Sequence, residues 1–256
     1  MTNTLVDYPV LTKFAVDLIH MHLGLPVCVV TDIPHLSVGQ DHTILLMTSR
    51  APSTRYFHEY ERDVPWNNSG RELAWELTPY QHTLVLDVDY LVMSPRLLKY
   101  IDLPLGVPHL LLNYGQDTDV GYTCFGNSNL PQYWASVIAF DKSSPEAIEF
   151  FATWQTVKRS WPFYATMFNL DQSLYRNDFA VTVALMYSDA TRVAKDFAEP
   201  LLNLPLGCAI TKLSAHSVDI KSSEGYERTL VGQDMHVQNK KDLEEAILAY
   251  YEASRG

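Results

Sequence analysis

Midway through the chain, the run Thr83-Leu84-Val85-Leu86 leads straight into Asp87 and Asp89 in the segment HTLVLDVDYLVMS (82–94). A strand without a charged position has no face to offer water, so it fits a sheet covered on both sides, where parallel strands predominate. Two similar runs precede it, PVCVVTD (26–32) and TILLMT (43–48). Helical patterns alternate with them. Leu11, Phe14, Ala15, Leu18, Ile19 and His22 share one face ahead of Gly24, where a helix would stop. This alternation predicts an α/β fold with a mostly parallel central sheet flanked by helices. Ligands bind such sheets beyond the carboxyl ends of the strands, which is where Asp87 and Asp89 fall if the run is a central strand.

The rest of the chain continues the alternation. A short helix is expected over RELAWEL (71–77), ended by Thr78-Pro79, and another after Ser94-Pro95, with Ser as cap and Pro at the first helical position. Ser144-Pro145-Glu146 opens an amphipathic helix reaching Trp161-Pro162, and most of its aromatic residues should be core. A helix is expected from Asp178 to Tyr187 and from Lys241 to Ala253, and strands over 134–141, 208–213 and 235–238. Residues 49–69 and 104–131, rich in Pro, Asn and Gly, are expected to be long loops with little regular structure. No repeat or linker is visible, so one domain is expected, with a nucleotide-binding half over about 1–100 and an acceptor half over about 101–256.

Composition narrows the function classes. A net charge of −11 works against sequence-independent binding to phosphate backbones. No apolar run reaches the roughly 18 residues that span a bilayer, and MTNTLVDYPV lacks the basic start of a signal peptide, so a cytoplasmic chain without membrane attachment is expected. Cys28, Cys124 and Cys208 lie far apart with no CxxC pair, which points to reduced thiols rather than zinc or redox chemistry. Nothing resembles a coiled coil, and no obligate protein partner is implied.

Side chains two apart on a strand point to one side. Asp87 and Asp89 would then converge, and two buried carboxylates need a cation or strong donors to offset their repulsion and desolvation. A hard divalent ion, Mn²⁺ or Mg²⁺, meets that need with oxygen ligands. The plainer alternative is that one Asp caps the next turn while the other is solvated.

From about Asn67 to Ser94, RELAWELTPYQHTLVLDVDYLV resembles the DxD region of GT-A glycosyltransferases, whose fold is Rossmann-like. The likeness continues at lower specificity through WASVIAFDKS, YRNDFAVTVAL and HVQNKKDLEEA. Short transferases of bacteria and bacteriophages are similar, and some of those modify hydroxymethylated pyrimidines in phage DNA. The resemblance implies a sugar transfer from a nucleotide sugar, UDP-linked by association, to a hydroxyl of a small glycan or a modified DNA base. It places Asp87 near the ribose and the metal, Asp89 on the metal, His236 as a third ligand, and Lys240 on the diphosphate. It further implies Asp178 as the acceptor-side carboxylate, Arg71 near the nucleotide or sugar, and Asp32, after Thr31, where the base is read. Tyr133 and Trp134 could stack on a sugar. A DNA acceptor would require Arg50, Arg55, Arg62, Lys158 and Arg159 to form a basic surface.

Each of these residues also has a plain structural use: Asp178 near a helix cap, Arg71 on a helix surface, His236 within a strand, Lys240 at a helix start. Three rival functions compete with this reading, of which a nucleic-acid-binding module without chemistry fits least, since no basic helix, zinc spacing or basic-aromatic patch appears and the net charge is −11. A phosphatase of the haloacid dehalogenase type also has DxD after an apolar strand, but it carries Thr or Val where Leu91 stands and requires a GDxxxD pair that this chain lacks. The third rival is an inactive GT-A scaffold serving as a carbohydrate-binding module.

Overall fold

The structure is a computed structural model describing residues 6–33, 36–38, 42–46, 53–57, 62–66, 70–101, 110–114, 124–126, 131–170, 175–188, 195–196 and 202–254. In chain order these form α1 (Tyr8–Leu23), β1 (Val27–Thr31), β2 (His42–Leu46), β3 (Ser53–Phe57), β4 (Arg62–Trp66), α2 (Ala74–Leu77), β5 (His82–Leu86), β6 (Tyr90–Leu91) and β7 (Leu110–Tyr114). There follow β8 (Tyr133–Asp141), α3 (Pro145–Arg159), α4 (Trp161–Met167), α5 (Asn177–Tyr187), β9 (Lys195–Asp196), β10 (Leu202–Leu204), β11 (Cys208–Leu213), β12 (Ser217–Ser222), β13 (Glu227–Val231), β14 (Met235–Val237) and α6 (Lys240–Ala253). Short 3₁₀ turns occupy Arg71–Leu73 and Pro95–Tyr100. No helix among the described residues is long and apolar enough to cross a membrane.

Two compact units interleave along the chain. One gathers described residues within 49–86 and 100–200, the other those within 4–48, 87–99 and 201–256. The mixed α/β expectation holds, but the mostly parallel sheet does not describe what is seen. In the first unit the sheet order is β5-β8-β7-β9, with β5 and β7 both antiparallel to β8 and only β7–β9 parallel. The second unit has a parallel β1–β2 pair, a mixed sheet β10-β14-β6 and an antiparallel meander β11-β12-β13. Apolar runs report burial and not direction, since either pairing satisfies the backbone. The same limit corrects the central-strand expectation: among the described residues β5 is an edge strand of its sheet, half-buried at Leu84, Val85 and Leu86, while β8 is buried without a break from Ala135 to Asp141.

The first unit's core is aromatic. Ser144 caps α3 by accepting the Ala147 N–H at 3.4 Å, Pro145 sits in its first turn, and Ala147, Phe150, Phe151, Trp154 and Val157 form its buried stripe. Ile148, on the same helix, is exposed. The stripe packs with Ala180, Val181, Val183 and Ala184 of α5 and with Ile138 and Phe140 of β8. Trp161-Pro162 ends nothing by itself; it starts α4, because proline is tolerated in a helix's first turn. The segment 49–69, expected to be loop, contains the antiparallel β3–β4 hairpin, with Pro65 opposite Thr54. Of the other expected loop, 110–114 pairs as β7 and Cys124 bridges Pro131, while 104–109, 115–123 and 127–130 lie outside the described residues.

In the second unit, Asp7 caps α1 by accepting the Val10 N–H at 3.3 Å. Gly24 ends that helix as expected at φ 64°, a left-handed conformation that glycine takes without a Cβ clash, and its N–H reaches the His20 and Ile19 carbonyls. Phe14 of α1 meets the rings of Tyr250 and Tyr251 of α6 edge-on. Tyr251 also donates to Asp17 at 2.7 Å, so the first and last helices are joined by both apolar and polar contacts.

Candidate metal centre

Beyond Leu86 the chain leaves the extended conformation. The Tyr90 N–H donates to the Asp87 carbonyl at 3.0 Å, closing a turn over Asp87-Val88-Asp89-Tyr90. Asp is favoured in such turns because its short acceptor suits their backbone. Asp87 and Asp89 thus converge through a turn and not through strand alternation, which corrects the geometric premise drawn from the sequence. Tyr90 and Leu91 re-extend as β6, where His236 lies opposite Tyr90 and Met235 opposite Leu91. The Val237 N–H donates to the Asp89 carbonyl at 2.9 Å, so main-chain bonds fix the turn against β14.

Ligand-capable atoms of Asp87, Asp89 and His236 all lie within 4.8 Å of one another. Donors about 2.0–2.2 Å from a shared ion can stand at most about 4.4 Å apart. Small side-chain rotations therefore suffice to close this set on one cation. Two carboxylates and an imidazole suit Mn²⁺, Mg²⁺ or Zn²⁺ chemistry, and Asp87, only half-buried, leaves a path for further ligands.

Asp89 is the buried member, with its side chain 2% exposed. Its Oδ2 lies 3.3 Å from His236 Nε2 and accepts a hydrogen bond from the Lys240 ammonium. Burial works to raise its carboxyl, but the hydrogen bond and charge of His236, with the charge of Lys240, outweigh that and hold it far below the ordinary carboxylate range. His236 is oriented from behind: its Nδ1 lies 3.0 Å from Asn203 Oδ1, which only accepts, so Nδ1 carries the proton. Asn203 reaches it because β10 pairs with β14 and sets Asn203 beside His236. A ligating histidine held at its other nitrogen has a fixed ring plane and tautomer. Lys240 is placed by the start of α6, where Asn239 accepts the Asp242 N–H at 3.3 Å.

Asp87, Asp89, His236 and Lys240, predicted from widely separated segments, are therefore brought together. Asp32 is exposed just past β1 and is not one of the clustered ligands. Arg71 and Asp178 belong to the other unit. There Arg71 donates to the Ala135 carbonyl at 3.0 Å, and Asp178 ties α5 to β8 by accepting the Ala135 N–H at 3.1 Å while pairing with Arg176 at 2.9 Å. Tyr133 and Trp134 are half-buried on β8. Lys158 pairs with buried Glu72 at 2.7 Å and Arg159 bonds Thr156. Arg50 and the side chains of Arg55 and Arg62 lie outside the described residues.

Two members of the neighbourhood escaped sequence reasoning. Asn203 sits in an unremarkable LNL segment and becomes relevant only through strand pairing. Tyr8, the first residue of α1, is near enough for Lys240 and Asp89 to act on it; burial raises its phenol, with the Lys240 charge opposing and the Asp89 charge adding. No protein-family profile, curated protein or solved structure matches the chain, so what this site does has to be read from its own residues.

Proposed function

We propose that the protein is a metal-dependent glycosyltransferase of GT-A type that takes a sugar from a nucleotide sugar, UDP-linked in the first instance, and passes it to a hydroxyl acceptor. The observation that carries this reading is the convergence of Asp87, Asp89 and His236 within 4.8 Å, with Lys240 on the same carboxylate. Such a group offers three ligands for one divalent cation and a mobile positive charge for a diphosphate, which a purely structural turn would not need.

In this reading Asp87, Asp89 and His236 hold Mn²⁺ or Mg²⁺, which when bound neutralises charge on a departing diphosphate. Asn203 orients His236 at Nδ1, and Nε2, which faces Asp89 at 3.3 Å, would give up its proton to ligate. Lys240, its side chain 31% exposed, can turn from Asp89 to a phosphate oxygen. The resemblance also implies Asp178 as an acceptor-side carboxylate, a role in which it would have to release the Arg176 contact to receive a hydroxyl proton. A hydroxymethylated pyrimidine in DNA is one acceptor to test beside small glycans.

The test is calorimetric titration of nucleoside diphosphates and nucleotide sugars into the protein, with Mn²⁺ or with chelator, alongside Asp89→Ala. Metal-dependent binding of a nucleotide that the substitution abolishes is the expected result. No nucleotide binding under any metal condition overturns the proposal and favours a non-catalytic scaffold.

A further inference from the structure

The Lys240 ammonium and His236 Nε2 converge on one oxygen, Asp89 Oδ2. Asp89 belongs to the set that would hold a cation. A buried carboxylate cannot be left without a compensating charge, and here the protein supplies one of its own. Resting on the metal-centre reading above, we infer that Lys240 is a built-in competitor for the divalent cation, occupying Asp89 in the metal-free protein and leaving it when the cation is held.

Three observations support the exchange. First, an ammonium and a divalent ion held by the same carboxylate repel each other, so the two occupants disfavour one another. Second, the exits differ. The Asp89 side chain is 2% exposed and fixed by its turn, whereas Lys240 is 31% exposed on a flexible four-carbon stem, so the lysine is the group able to move into water. The Asn239 cap holds the Lys240 main chain at the start of α6, so displacement involves the side chain alone. Third, a lysine in the first turn of a helix opposes the helix dipole. The Asp89 contact therefore compensates a charge that α6 itself does not favour, and a stronger cation releases it at little cost to the helix.

The consequence is selectivity by charge. The apparent affinity for any cation is reduced by the fraction of molecules in which Lys240 still holds Asp89. A monovalent ion brings no more charge than the lysine it must displace. A divalent ion gathers both carboxylates and His236, so the centre stays closed to Na⁺ and K⁺ and opens to Mn²⁺ or Mg²⁺.

The experiment measures Mn²⁺ binding to the full chain by calorimetry, in wild type and in Lys240→Gln, Lys240→Met and Lys240→Arg. The neutral variants are expected to bind Mn²⁺ about tenfold tighter or more, equivalent to about 1.4 kcal/mol, and Lys240→Arg to stay near wild type. Lys240→Gln keeps a donor for Asp89 and decides the matter if Lys240→Met fails to fold. On wild type, acetylation of Lys240 read by mass spectrometry is expected to rise on adding Mg²⁺ while other lysines are unchanged. If wild type binds Mn²⁺ and the neutral variants bind it no tighter, the exchange is overturned and the metal centre stands. If neither wild type nor any variant binds Mn²⁺, both fall together.

Discussion

Replacing Asp89 by Asn separates the structural from the metal-binding work of this carboxylate. The change keeps the side chain's size and one carbonyl oxygen, and it leaves the main-chain bond from Val237 to the Asp89 carbonyl untouched. Removing one partner of a fully buried ion pair costs about 3–5 kcal/mol. Lys240 is 31% exposed and can turn to water, so the expected loss without metal is nearer about 1.5–3 kcal/mol, the value of charge-assisted hydrogen bonds. For a chain of this size that is a fall of about 3–12 °C in midpoint. A cation at a hundredfold excess over its Kd stabilises the folded wild type by about 2.7 kcal/mol, or about 5–11 °C. Asp89→Asn, left with one carboxylate and one imidazole, should show no such rise. The assay is thermal unfolding followed by circular dichroism in EDTA and in Mn²⁺. A variant that keeps the full metal-dependent rise, or a wild type that has none, refutes this account of Asp89.

Asn203→Ala should leave folding nearly intact, costing about 1 kcal/mol for a lost hydrogen bond, while weakening Mn²⁺ affinity about 10–100-fold because His236 loses its orienting partner; titration calorimetry checks both the loss and the unchanged stoichiometry. Trp154→Ala, at a fully buried ring packed beside Phe150 and Phe151, should destabilise by about 3–5 kcal/mol, seen as a lower urea midpoint. Asp141 gives a pH prediction. Burial works to raise its carboxyl, but the Ser143 N–H and hydroxyl, the Gln81 amide and His82 outweigh that and hold it below the usual range. A depressed folded-state value contributes stability that is present above the unfolded pKa of about 4 and lost as pH falls through the lower folded value. Acid denaturation curves of Asp141→Asn should therefore be flatter than wild type below about pH 4.

Much of the secondary structure was legible because it is written in local signals. Ser144-Pro145 announced α3, Gly24 marked the end of α1, and the 208–213 strand matches β11 end to end. The hairpin within 49–69 was missed because Pro65 and the Asn67-Asn68 that follow it in the sequence read as breakers, although proline is tolerated where a strand needs no N–H. Of the second unit's meander, β12 and β13 gave no continuous apolar run, since several of their positions face water.

The candidate centre divides in the same way. By itself, the amino-acid order determined which residue types stood where: a carboxylate pair after an apolar run, and a histidine and a lysine four apart between a strand and a helix. Only the tertiary structure decided that they meet, because the pairing of β14 with β6 and β10 joins residues 33 and 151 positions apart. It also decided how they meet, through a turn and not along a strand, and it brought in Asn203 and Tyr8, which no local pattern marks. Strand pairing direction and edge position were likewise decided there, since hydrophobicity favours burial without regard to direction, while hydrogen-bond partners are chosen among distant segments.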